Sequence, residues 1–144
     1  MGKSDTWEAG LIELLFKNAD FTGVGDAGGL LGSVAAGNLY FSLHTSDPGE
    51  AGDQETNEIA YTSYARVAVA RGAGFTRTNN SVSPAAEVSF PAGTGGSGTA
   101  THFGVGTDAS GAGTLLYSGT VTPNIVCGDG VTPKLSTATE ITED

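Results

Sequence analysis

Short stretches of alternating apolar and polar residues, cut at intervals of roughly 8–12 residues by Gly, Asn, Asp and Pro, dominate this chain and restrict it to a shell of β-strands joined by turns. Residues 38–44 show the pattern most clearly. Leu39, Phe41 and Leu43 fall on one side and Tyr40, Ser42 and His44 on the other, the period of a half-buried strand. Residues 64–71, 75–77, 82–90, 99–106, 115–121, 125–127, 134–136 and 139–142 read the same way. Asn79-Asn80 is a tight-turn candidate, and Pro84 marks an edge or a bulge. Helical periodicity is confined to residues 5–18, where Asp5 and Glu8 form the aspartate version of a capping box. Trp7, Leu11, Leu14, Leu15 and Asn18 share one broad face, which Ile12 and Phe16 widen. Gly10 weakens this helix by about 1 kcal/mol relative to Ala. No strand is followed by a second helix, which argues against a parallel α/β sheet. The expected fold is mainly β: an antiparallel β-sandwich or jelly-roll-like barrel with one N-terminal α-helix. It is expected as a single domain over residues 1–144, with the helix near 5–18, a Gly-rich connector at 22–37 and the β part at 38–143.

With 144 residues the chain is long enough to fold without a metal or a disulfide. Sixteen acids against six Lys and Arg give a net charge of −10, which disfavours neutralisation of a nucleic-acid backbone. Arg66, Arg71 and Arg77 are the nearest thing to a cationic group, and they stand among neutral residues. Cys127 is the single cysteine, so no internal disulfide can form, and it reads as a small buried apolar residue. No apolar signal-type segment and no run of 18 apolar residues occurs, so no membrane association and synthesis in a cytoplasm are expected.

Sites of chemistry are sparse. Residues 93–98 (GTGGSG) match a dinucleotide-binding fingerprint by letter but lead into a strand-like segment, so a flexible loop is expected. Asp47, Glu50, Asp53 and Glu55 crowd the loop 45–58 without the spacing of a Ca²⁺ loop. That leaves a solvated loop, a weak cation site or a docking loop for a basic partner. His44 and His102 are far apart in sequence and read as strand residues at a surface or interface. Arg66, inside an otherwise small and apolar strand, needs solvent or a carboxylate. It belongs to an exposed strand face or to an intersubunit ion pair with the acidic loop. No catalytic residue, cofactor site or metal site is expected.

Residues 39–52 (LYFSLHTSDPGEAG), 61–69 (YTSYARVAV), 88–95 (VSFPAGTG), 100–106 (ATHFGVG), 111–119 (GAGTLLYSG) and 124–135 (NIVCGDGVTPKL) together resemble small structural proteins of tailed bacteriophages. The resemblance implies a non-enzymatic virion component, often described as tail-fibre-like. On that basis the expected function is a capsid decoration or cement protein on the outer head surface, bound to the major capsid protein. The alternative is a tail-tip or tail-fibre-associated protein bound to tail proteins. A homo-oligomer is expected in either case. The residues expected to make the contacts are Trp7, Leu11, Leu14, Leu15 and Phe16 on the helix, Asp47, Glu50 and Asp53 on the acidic loop, and Arg66.

Overall fold

The computed structural model describes residues 1–144. The chain is mainly β, with antiparallel sheets and one N-terminal helix, as the alternating pattern implies. It is organised as two compact units. Unit 1 combines Met1–Asn38, Val69–Glu87 and Ser136–Asp144; unit 2 combines Leu39–Ala68 and Val88–Leu135.

Unit 1 begins with helix α1 (Asp5–Ile12), which runs directly into a π-helical turn, Glu13–Lys17. The cap differs from the sequence expectation by one position. Ser4, in an extended conformation, accepts from the Trp7 N–H at 3.4 Å, and Asp5 is the first helical residue. Asn18 closes the helical segment in the left-handed conformation, φ 57°, where Asn is tolerated. The buried stripe is Glu8, Ile12 and Phe16, spaced four apart, while Trp7, Leu11, Leu14 and Leu15 stay half-buried. Phe16 meets Phe75 edge-on at 5.0 Å between ring centroids. Gly10 has a packing reason: a Cβ there would lie 2.1 Å from the Phe21 ring, which in turn leans on Trp7 at 5.3 Å. The sheet of this unit is β3 (Phe75–Thr78), β4 (Ser81–Pro84) and β9 (Ile141–Thr142), in the order β3-β4-β9. Pairing of Thr78 with Ser81 makes Asn79-Asn80 the two-residue hairpin loop, with Asn79 at φ 55°.

Two of the three clustered arginines and one lysine serve unit 1 internally. Arg71 donates from Nε to the Leu15 carbonyl and from Nη2 to the Leu14 carbonyl, both at 2.6 Å. Its Nη1 reaches the Ser33 hydroxyl and the Ala36 carbonyl. Lys17 Nζ donates to the carbonyls of Gly72 at 2.7 Å and Phe75 at 2.6 Å. Arg77 pairs with Glu13, both about a third exposed, and also donates to the Asn79 carbonyl.

Unit 2 is built on β1 (Asn38–His44), β6 (Ser97–Gly106) and β7 (Leu115–Gly128); their sheet has the order β2-β1-β6-β7, and of its edge strand β2 (Val67–Ala70) only Val67 and Ala68 belong to this unit. β1 and β6 are antiparallel, from Tyr40 opposite Gly106 to His44 opposite His102. The segments expected at 115–121 and 125–127 form one strand. Its register against β6 jumps between Ala100–Ile125 and His102–Thr120, so residues 121–124 bulge away from β6. The segment expected as one strand at 82–90 instead splits at Pro84, giving β4 in unit 1 and β5 (Val88–Ser89), which pairs with β8 (Lys134–Leu135) in unit 2. The core of unit 2 includes Leu39, Phe41, Leu43, Ile59, Phe90, Ala100, Phe103, Val105 and Cys127. Phe41 and Phe103 stack at 6.3 Å.

Candidate interaction site

The loop 45–58 and the turn that follows β6 carry most of the polar organisation of unit 2. The loop is braced from within. Asp53 Oδ1 accepts from the Thr56 hydroxyl at 2.9 Å and from the N–H groups of Glu55 and Thr56 at 3.0 Å. These bonds, the Thr56 hydroxyl foremost, hold its carboxyl below the usual range. Asp47 Oδ1 accepts from the Gly49 N–H at 2.9 Å, and its carbonyl accepts from Asn57 Nδ2. Between them Gln54 is fully buried. Its backbone N–H donates to the Ala112 carbonyl at 2.8 Å, its Oε1 accepts from the Asp108 N–H at 2.9 Å, and its Nε2 donates to the Asp108 carbonyl at 3.3 Å. Gly106 makes room for it, because a Cβ there would lie 2.2 Å from Gln54 Cδ.

A second brace stands beside the first. Arg66 Nε and Nη2 donate to the two oxygens of Glu58, each at 2.7 Å, in the bidentate geometry that matches a guanidinium to a carboxylate. Nη1 donates to the Asp108 carbonyl and Nη2 to the Gly111 carbonyl, and the Arg66 side chain is only 2% exposed. Tyr64 adds its hydroxyl to Glu58 Oε1 at 2.7 Å and accepts from the Leu43 N–H at 3.0 Å. Burial pushes the Tyr64 hydroxyl well up, so it keeps the proton it donates. Arg66 therefore lies on no exposed face, and its carboxylate is in the same chain. Placing four donors on two loops is possible because β2 begins at the next residue and fixes its backbone.

His44 is also a correction. Expected at a surface or interface, it is fully buried. Nδ1 donates to the Thr56 carbonyl at 2.8 Å, since a carbonyl can only accept, and Nε2 accepts from the Ser42 hydroxyl at 2.8 Å. Both faces of β1 are covered at this end, so the alternation that placed His44 opposite Leu43 did not place it in solvent. Burial is the main influence and lowers its pKa below 6.5. Thr56 and Glu58 oppose that shift, and Arg66 and His102 add to it. A histidine depressed in the folded state binds more protons unfolded. Stability is therefore complete above about pH 6.5 and falls as pH drops toward the folded value, with a limiting slope of about 1.4 kcal/mol per pH unit. Urea titrations between pH 5 and 8 are expected to show that decline, and His44→Gln is expected to flatten it. A decline of equal slope in the variant would assign it to other groups.

Of the residues singled out in the sequence, Asp47, Asp53 and Arg66 meet in this braced end of unit 2, and Glu50 is exposed on the same loop. Trp7, Leu11, Leu14, Leu15 and Phe16 belong to unit 1. Gln54, Glu58 and Tyr64 were not anticipated. The only signal for Glu58 was its place eight residues before Arg66, and Gln54 carried none. The segment 93–98 is held rather than loose. The Gly93 N–H donates to the Val131 carbonyl, the Thr94 N–H to the Thr62 carbonyl and the Thr62 N–H to the Gly95 carbonyl. Ser97 opens β6, so no helix N-terminus faces the glycines. An open cleft of about 500 Å³ lies between the acidic loop (Asp47, Gly49, Glu50, Gly52) and the start of β7, Leu115 to Ser118.

No curated protein matches the chain. Residues 2–140 match the family described as podophage GP4 fiber I protein gp80. The match takes in both units and the eight strands β1 to β8, and stops just before β9. The chain thus belongs to the podophage GP4 fiber I protein gp80 family, a family of phage virion structural proteins.

Proposed function

We propose that the protein is a non-enzymatic tail-fibre component of a podophage particle, acting as a homo-oligomer that docks on tail proteins. The observation that carries this reading is the family match over residues 2–140, whose description names a fibre protein. It favours the tail over the outer head surface, where the sequence alone had put a decoration protein bound to the major capsid protein. The braced loops of unit 2 support it. Gln54 and Arg66 tie two loops together with hydrogen bonds of 2.7–3.3 Å, so a contact surface is preformed and little ordering entropy is lost on docking. Cryo-electron microscopy of purified particles, with copy number measured against the major capsid protein, tests the reading. Density at the tail and a copy number set by tail symmetry are expected. Density spread over the head in proportion to capsid subunits would restore the decoration reading.

A further inference from the structure

We infer that the end of the helical segment and the connector around Leu31 and Val34 form a self-association face in unit 1, covered by the same face of a second copy of the chain. This face presupposes the homo-oligomer of the fibre reading, but not its place in the particle.

Val34 is as exposed as in an extended chain, and Leu31 is 68% exposed. Single apolar residues at a surface are ordinary. These two differ because their backbone is held and their neighbours are apolar. Asn18 Nδ2 donates to the Ser33 carbonyl at 2.9 Å, and Asn18 Oδ1 accepts from the Ser33 N–H at 2.7 Å. Asp20 Oδ1 accepts from the Gly32 N–H at 2.8 Å. Arg71 grips Ser33 and Ala36 with Nη1 and the Leu14 and Leu15 carbonyls with Nη2 and Nε. One guanidinium thus sets the loop beside the helix end.

The helix itself is inverted there. A surface helix ordinarily turns its apolar stripe inward and its charges outward. Here the buried stripe begins with Glu8, and Trp7, Leu11 and Leu14, spaced i, i+4 and i+7, are left half-buried on another side. Half-covered leucines next to a fixed, exposed Leu31 and Val34 make an apolar patch of the kind that marks a contact. Little ordering entropy is lost when such a loop docks.

Charge decides the occupant. The chain carries a net charge of −10, so a second copy is repelled by much of its surface. This face is close to neutral. Arg71 makes no ion pair within the chain, and neither does the exposed Asp20. Asp26 lies at the far tip of the hairpin that Phe21 and Leu30 close, and Lys17 is turned to the Gly72 and Phe75 carbonyls. Two copies set face to face would bring Asp20 of each toward Arg71 of the other, the reciprocity that an isologous contact has. An anionic membrane would call for several Lys or Arg here and a basic partner for several carboxylates, and the face offers one of each.

Sedimentation velocity of the full chain over a concentration series is expected to show a dimer that dissociates on dilution. Leu31→Glu and Val34→Glu are expected to leave the unfolding midpoint in place, since both positions are exposed, and to weaken the dimer about tenfold each by carrying a charge into an apolar contact. Asp20→Asn keeps an oxygen for the Gly32 N–H and removes the charge, and is expected to weaken the dimer about threefold. Val126→Glu, at an exposed valine of unit 2, is the control and is expected to leave the dimer intact. A chain that stays monomeric would overturn the inference together with the homo-oligomer. A dimer undiminished in Leu31→Glu, Val34→Glu or Asp20→Asn, a dimer broken by Val126→Glu, or a closed trimer would overturn this face and keep the homo-oligomer. Flotation of the chain with vesicles of phosphatidylcholine and phosphatidylglycerol would overturn it in favour of a lipid surface.

Discussion

Arg66→Met is expected to remove about 3 kcal/mol of stability from unit 2 and lower its unfolding midpoint by about 10 °C. The side chain is 2% exposed and satisfies the Glu58 carboxylate and two carbonyls of the neighbouring turn. Methionine fills much of the volume but leaves Glu58, 15% exposed, with Tyr64 as its remaining donor among these contacts. Breaking one side of a buried pair costs more than the pair contributes net, because the surviving charge stays desolvated. Arg66→Lys is expected to recover less than half of the loss, since one ammonium cannot span both Glu58 oxygens and two carbonyls. The double variant Arg66→Met with Glu58→Leu is expected to be more stable than Arg66→Met alone. The measurement is direct. All four tyrosines lie in unit 2 and the single tryptophan in unit 1, so tyrosine absorbance and Trp7 fluorescence follow the units separately. A loss below about 1 kcal/mol in Arg66→Met would mean the pair is no stronger than a surface one.

The same clasp shows where sequence reading reaches its limit. Alternation located β1 at residues 38–44 to the residue and put the hairpin at Asn79-Asn80, because both features are local: a period of two, and a residue type that accepts left-handed backbone. Long-range pairings do not leave such marks. Gln54 sits between Asp53 and Glu55 in a loop that looks solvated, and it is buried only because the backbone of Asp108, 54 residues away, closes over it. Arg66 announced a need for a partner but not the partner. The acidic loop offered several carboxylates, and geometry selected Glu58 at its end.

His44 and the helix fail for a different reason. Alternation gives the side of a strand a residue occupies, not what covers that side. Ser42 and His44 point away from Leu43 and are still fully buried. On the helix, Trp7, Leu11, Leu14 and Leu15 formed the widest apolar face, yet the deepest positions are Ile12 and Phe16. The π-helical turn at Glu13–Lys17 alters the angular step per residue in the second half, so a face drawn at 3.6 residues per turn drifts there. The resemblance of the blocks between 39 and 135 to phage structural proteins reached the class of protein but ranked head above tail. A rigid β part for either location would be written in the same strands and turns.

Three arginines that looked like a weak cationic cluster each have a defined task, and comparing two of them tests the other large effect. Arg71→Ala is expected to cost unit 1 about 2–3 kcal/mol. The guanidinium donates to the Leu14 and Leu15 carbonyls at the end of the helical segment, where backbone acceptors lack intrahelical donors, and to Ser33 and Ala36 in the connector. It makes no ion pair in this chain, and burial lowers its pKa without unseating its charge. Its loss would release the helix end and the connector together, which Trp7 emission is placed to report. Arg71→Lys is expected to retain part of the stability, because one ammonium can reach the paired carbonyls but not all four acceptors. Arg77→Ala is the internal control. Its ion pair with Glu13 is about a third exposed on both sides, so its loss is expected to cost less than about 1 kcal/mol. Equal losses in Arg71→Ala and Arg77→Ala would show that net cationic charge, rather than the bonds to the helix-end carbonyls, is what unit 1 requires.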